Sequence, residues 1–132
     1  MELKVGQKAT HSNTLNFDNV KTYAEITGDY NQMHFDEGFS GKTKFKALVV
    51  QGGLTSRILN ALMAMDMPGP GTVLMNQDLK FIAPVFIGDT ITAEAEVLEV
   101  HAIKPVTKLK MTITLETVLE GEAWCYTFTP EV

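Results

Sequence analysis

The feature that most limits how this chain can fold is a change in hydrophobic rhythm near its middle. Leu54, Ile58, Ala61, Leu62 and Met65 fall at i, i+4, i+7, i+8 and i+11, a broad apolar stripe on one face of a helix. Leu59 and Met63 widen the stripe, so most of this helix is expected to be buried. Pro68, Gly69, Pro70 and Gly71 stop it, because proline lacks the N–H and clashes with the preceding turn. Beyond that point the period drops to two. Val73, Met75, Leu79 and Phe81 share one parity, as do Ile91, Ala93, Ala95 and Val97. Leu109, Met111, Ile113 and Leu115 repeat the pattern, and Trp124, Tyr126 and Phe128 line one face of a last strand. Alternation of this kind belongs to antiparallel strands with one covered face. The parity slips after Val97, which predicts a bulge. Glu120-Gly121 reads as a tight hairpin turn. One buried helix followed by such strands predicts an α+β fold, an antiparallel sheet wrapped around a long central helix.

The first third is organised differently. A short strand is expected near 7–13. Asn16 or Asp18 offers a helix cap, and Val20, Tyr23, Ala24 and Thr27 fall on one helical face. Gly28 stands where a left-handed residue would end that helix, so Asp29 is expected to project from a loop. Residues 35–46 read as loop or a short helical turn. His34 follows Asp29 by five positions. A carboxylate and an imidazole on one short segment suit proton transfer near neutral pH, where histidine titrates. Taken singly, each has a plainer reading: Asp29 as a turn-forming side chain, His34 as a structural histidine, Gly52-Gly53 as a tight turn.

Composition narrows the function classes. A chain of 132 residues, 45% of them hydrophobic, is expected to form a single domain spanning 1–132 with a real core. A net charge of −5 argues against nucleic acid as the main partner, since nothing offsets phosphate repulsion over a long surface. No apolar run approaches the roughly 20 residues of a membrane span, and the first residues carry no apolar leader, so no membrane partner and a cytoplasmic location are expected. The single cysteine, Cys125, fits a reducing compartment and, within an alternating strand, reads as a buried, inert thiol. His11, His34 and His101 show no metal-ligand spacing, so no metal is expected.

The segment Tyr23, Ile26, Thr27, Gly28, Asp29, Asn31, Met33, His34 resembles the hydratase motif of MaoC-like (R)-specific enoyl-CoA hydratases. Val49-Val50-Gln51-Gly52 resembles their strand-to-helix turn, and Leu79 to Thr90 resembles their later signature. Three segments in the right order make the resemblance specific, and it covers nearly the whole chain. It implies a hot-dog fold, a homodimer, and action on a trans-2-enoyl thioester of coenzyme A without a cofactor. It further implies that Asp29 and His34 are the catalytic pair and that the Gly52 N–H binds the thioester oxygen, with Gly53 beside it. Asn31 matches the asparagine of the catalytic loop, and Asn60 aligns where some members have a serine lining the substrate tunnel. The chain departs from the family at two places: Gln32 stands where proline is common, and Gln51 where histidine is frequent. Lys42, Lys44, Lys46 and Arg57 would be available to coenzyme A phosphates, or form an ordinary solvated basic surface. Two other functions stay open. One is a non-catalytic acyl-CoA-binding subunit. The other is a thioesterase, against which 54–65 counts because it carries no carboxylate.

Overall fold

The computed structural model describes residues 3–115 and 117–129. In chain order it contains β1 (Lys8–Thr14), α1 (Phe17–Thr27), α2 (Gln32–Phe35), α3 (Glu37–Ser40), α4 (Gly52–Met65), β2 (Thr72–Phe81), β3 (Thr90–Val100), β4 (Val106–Thr114) and β5 (Thr117–Thr127). The strands form one sheet in the order β1-β3-β4-β5-β2, and every neighbouring pair is antiparallel. α4 lies on one face of this sheet and packs chiefly on β3. This is the α+β arrangement that the change of period predicts.

Small residues let the helix seat closely. Ala93 and Ala95 of β3 and Ala123 of β5 are fully buried, alongside Ile91, Val97, Leu109, Met111 and Ile113. These meet Leu54, Ile58, Leu59, Leu62 and Met63 of α4 in one hydrophobic cluster. At about 25 cal/mol per Å² of apolar surface removed from water, that contact is the main stabilising term of the fold. The buried face of α4 is rotated from the expected stripe. Ala61 is exposed and Met65 is 70% exposed, because the sheet covers only the side that Leu59 and Met63 share.

β2 also differs from expectation. Its register shifts between Leu74 and Asn76, so a bulge at Met75 breaks the single parity. Leu74 and Leu79 pack toward the core, whereas Val73 and Met75 are exposed. The predicted bulge in β3 is present between Val97 and Glu99. The predicted turn at Glu120-Gly121 is not. The chain reverses instead between Thr114 and Thr117, which pair with each other, and Leu115 is exposed there. Gly121 lies inside β5, where an added methyl group would overlap the Asp78 carbonyl oxygen of β2. Its glycine serves close strand approach, not a turn.

On β5, Cys125 points to the core and is fully buried. Trp124 and Tyr126 take the opposite face, where Lys108 bonds Glu122 at 2.9 Å and lies over the Trp124 ring. Among the described residues, no helix is long and apolar enough to cross a membrane.

Candidate functional site

The site is built where α1 stops. Asn16 caps α1 through a reciprocal pair of bonds with Asn19. Gly28 ends it at φ 78°, and its N–H donates to Ala24 O, as a left-handed C-terminal residue does. The turn that follows is held by side chains. Thr27 Oγ1 donates to Tyr23 O at 2.8 Å and accepts from Asp29 N at 3.2 Å. Asp29 Oδ1 accepts from Asn31 N at 3.3 Å. Asn31 then caps α2, its Oδ1 accepting from Met33 N at 3.0 Å. Asp29 is thereby aimed by its own turn, with Oδ2 left free of these bonds.

His34 rides on α2. Its Nδ1 lies 2.6 Å from the Val49 carbonyl oxygen. A carbonyl can only accept, so Nδ1 carries the proton and the neutral ring presents a bare Nε2. That Nε2 faces Asp29 Oδ2 at 3.7 Å. The separation is too long for a direct hydrogen bond. It fits two acceptors flanking a small donor. The two side chains differ in access: His34 is 12% exposed and Asp29 42%. Val49 is itself fixed, its N–H donating to Met33 O. Ser40, fully buried, donates to the same Met33 oxygen. Behind α2, the Phe35 ring packs against Phe17 and Tyr30 at 5.9 and 5.6 Å, which pins the loop to the start of α1.

The segment after Val49 leads into α4. Gly52 and Gly53 form its first turn, and the N-cap Gln51 makes no side-chain capping bond. Helical bonding begins with Thr55 N donating to Gln51 O, so the earlier amides are not used by the helix itself. Both glycines stand close to aromatic side chains. A methyl group on Gly52 would press on the Phe81 ring at 3.2 Å, and one on Gly53 would overlap the Tyr23 hydroxyl. The Gly52 end opens on a cleft of about 360 Å³, whose lining includes Lys44, Phe45, Val49, Thr55 and Phe81. Asp29 and His34 do not line this cleft. Val49 links them to it, with its carbonyl on His34 and its flank on the cleft.

Asn31 organises the loop as a helix cap. Asn60 lies eight positions along α4, about 12 Å from Gly52 at 1.5 Å per residue. It is exposed, and its Oδ1 accepts from Gln77 Nε2 of β2 at 3.1 Å. Arg57 donates to Asn13 of β1 at 2.9 Å, while Lys44 is on the cleft rim. The departures find local explanations. Gln32 is the first residue of α2, a position where proline is favoured but its missing N–H is not needed. Gln51 is 1% exposed and donates from Nε2 to Val20 O at 3.0 Å, tying α1 to α4. Its Oε1 has no partner among the described residues. Two contributors were not anticipated from the sequence: the Val49 carbonyl that fixes the imidazole and the Thr27 hydroxyl that holds Asp29. Thr27 is signalled by its place in the motif; a long-range backbone contact carries no sequence signal. Among the described residues, no group of three or more His, Cys, Asp and Glu side chains could hold a metal.

Comparison with known proteins bears on the whole chain. The MaoC like domain family model matches residues 2–120. The chain is 34% identical to an (R)-specific enoyl-CoA hydratase of Aeromonas caviae, over 95% of this chain and 90% of that one. It is 36% identical to a 3-hydroxybutyryl-CoA dehydratase of Methylorubrum extorquens, over 92% and 79% respectively. The solved structure of the (R)-hydratase from A. caviae involved in PHA biosynthesis superposes with a TM-score of 0.92 at 33% identity, covering 96% of this chain and 98% of that one. The fold is the hot-dog fold of those hydratases. A sheet wrapped on α4, a hydratase-like loop after α1, and a family match over almost the full length lead to one assignment: the chain belongs to the MaoC-like domain family.

Proposed function

We propose that the protein is a lyase that adds water to a trans-2-enoyl-CoA, giving the (R)-3-hydroxyacyl-CoA, and catalyses the reverse dehydration. The observation that carries this reading is the facing of Asp29 Oδ2 and His34 Nε2 across 3.7 Å, with the imidazole tautomer set by Val49. Both facing atoms are acceptors. One water between them donates a hydrogen to each, and its oxygen lone pairs are left pointed at the substrate. As that oxygen attacks Cβ, one of the pair takes its proton. Electron density moves through Cα onto the thioester oxygen. A proton then returns from the pair to Cα on the same face, and the enzyme is regenerated. The two groups act as a coupled unit, so the donor at each step is assigned to the pair. Positioned proton transfer of this kind contributes about 10²–10⁴ in rate.

The growing charge on the thioester oxygen falls to the Gly52 N–H, with Gly53 following it in the first turn of α4. The unused amides and the positive end of the helix dipole favour negative charge there, and a preorganised donor contributes roughly 3 kcal/mol. Asn31 is a positioning residue, and Asn60 is assigned to the acyl side. The chemistry adds the elements of water without any change of redox state, so the reading calls for no cofactor or metal. The reading also places the protein in the cytoplasm as a homodimer. A thioesterase is disfavoured because α4 carries no carboxylate along its length.

A panel of enoyl-CoA substrates from short to medium chain tests the proposal. Loss of the conjugated enoyl absorbance with formation of the (R)-alcohol is expected for at least one length. Saturable acyl-CoA binding with no turnover at any length would instead make the chain a non-catalytic binding subunit.

A further inference from the structure

We propose that Tyr23 is a positioning residue, a strut from α1 to the first turn of α4 that sets the distance between the Asp29 carboxylate and the Gly52 N–H. The proposal rests on the hydratase reading for the two groups it spaces. Hydration needs both at once: activated water at Cβ and the thioester oxygen on an amide. The two groups belong to different elements, so the rate depends on how firmly those elements are held apart.

The holding contacts lie on one face of α1. Val20 and Tyr23 are three positions apart on that helix, which stacks them on the same side. Val20 O accepts from Gln51 Nε2 at 3.0 Å. The Tyr23 hydroxyl stands where a side chain on Gly53 would begin. Gln51 and Gly53 are the chain neighbours of Gly52, so α1 brackets this amide from before and after. The turn has little hold of its own. Gln51 makes no side-chain capping bond, and helical bonding starts only with Thr55 N. Tyr23 also reaches the other half of the site. Its carbonyl accepts from Thr27 Oγ1 at 2.8 Å, and Thr27 Oγ1 accepts from Asp29 N at 3.2 Å. Backbone and hydroxyl of one residue thus serve the two turns that carry the chemistry. The ring between them packs against the hydrophobic core, which limits its swing. The hydroxyl at 23 and the missing side chain at 53 form a size-matched pair. A shorter residue at 23 leaves the α4 turn loose, and a larger one at 53 drives it away from α1.

Steady-state hydration of crotonyl-CoA by three variants, measured well below every melting temperature, tests the pairing. Tyr23→Phe is expected to lower kcat about tenfold with KM little changed. Gly53→Ala is expected to lower kcat by about 10²-fold, the order expected when reacting groups are displaced by an ångström. In Tyr23→Phe/Gly53→Ala the new methyl group takes the space the hydroxyl leaves. The ring carbon Cζ would then stand 2.7 Å from that methyl group, an overlap that a small ring shift relieves. The double variant is therefore expected to recover about tenfold in kcat over Gly53→Ala alone. A merely stabilising contact would lower the melting temperature and leave kcat of the folded enzyme at the parent value. Parental kcat in Tyr23→Phe would overturn the proposal, and this conservative variant decides the matter alone if Gly53→Ala does not fold. Losses that multiply in the double variant would also overturn it, because the two positions would then act separately. A parent that hydrates no enoyl-CoA would instead remove the hydratase reading, and the strut's catalytic role with it.

Discussion

At the scale of single residues, the site depends on short side chains that bond their own backbone. Thr27 bridges Tyr23 O and Asp29 N, so it decides where the Asp29 carboxylate points. Replacing it with valine keeps the shape and removes both bonds. Thr27→Val is expected to lower kcat for crotonyl-CoA by about tenfold, since small misplacements of a catalytic group are costly, with KM little changed. Steady-state kinetics checks this. Cys125 offers a second test. Burial raises its thiol from 9.0 to about 11, so the folded protein is expected to resist a thiol reagent at pH 8 and react only once unfolded. The sign for stability follows. The folded state holds the thiol proton more tightly, so this contribution is complete below about pH 9 and is lost as pH rises toward 11. A melting temperature that falls over that window checks it. The facing of Asp29 and His34 and the burial of Cys125 were legible because residue type and spacing express them. Val49 was not, because its carbonyl acts through the fold. Gln51 stands where the family frequently has histidine, and only the fold shows that it anchors α1 through Val20.

At the scale of elements, periodicity gave α4 and the strands correctly and misplaced some of their details. The α4 stripe counted Ala61 and Met65 as core, although the sheet reaches only one side of the helix. A single parity for β2 could not survive the bulge at Met75, since one extra residue reverses every side chain after it. Gly121 misled because glycine marks both turns and close approaches. The sequence shows that glycine is needed, while only the neighbouring strand shows why. The structure makes this testable. Gly121→Ala would force its methyl group against the Asp78 carbonyl, a backbone atom that cannot swing aside. The expected cost is about 1–3 kcal/mol, typical of overpacking, measured by denaturant unfolding. An unchanged midpoint would mean that β2 and β5 can separate freely at this point.

At the scale of the whole molecule, the two sheet edges are unlike. β1 is largely polar, whereas β2 presents Val73 and Met75 at 51% and 58% exposure. Met65 of α4 and Ile82 just after β2 are also exposed. An open edge with apolar side chains is a pairing surface, and β2 is where the proposed homodimer would join. Sedimentation at micromolar concentration is expected to give a dimer, and Val73→Lys/Met75→Lys to give monomer; a monomeric parent would contradict the assembly. The account as a whole turns on water held between Asp29 and His34. Asp29→Asn tests that most directly, because asparagine can still accept from Asn31 N while losing the carboxylate charge. With the melting temperature unchanged, hydration of crotonyl-CoA by the purified variant is expected to fall by about 10²–10⁴. A variant that hydrates crotonyl-CoA as fast as the parent would contradict the account.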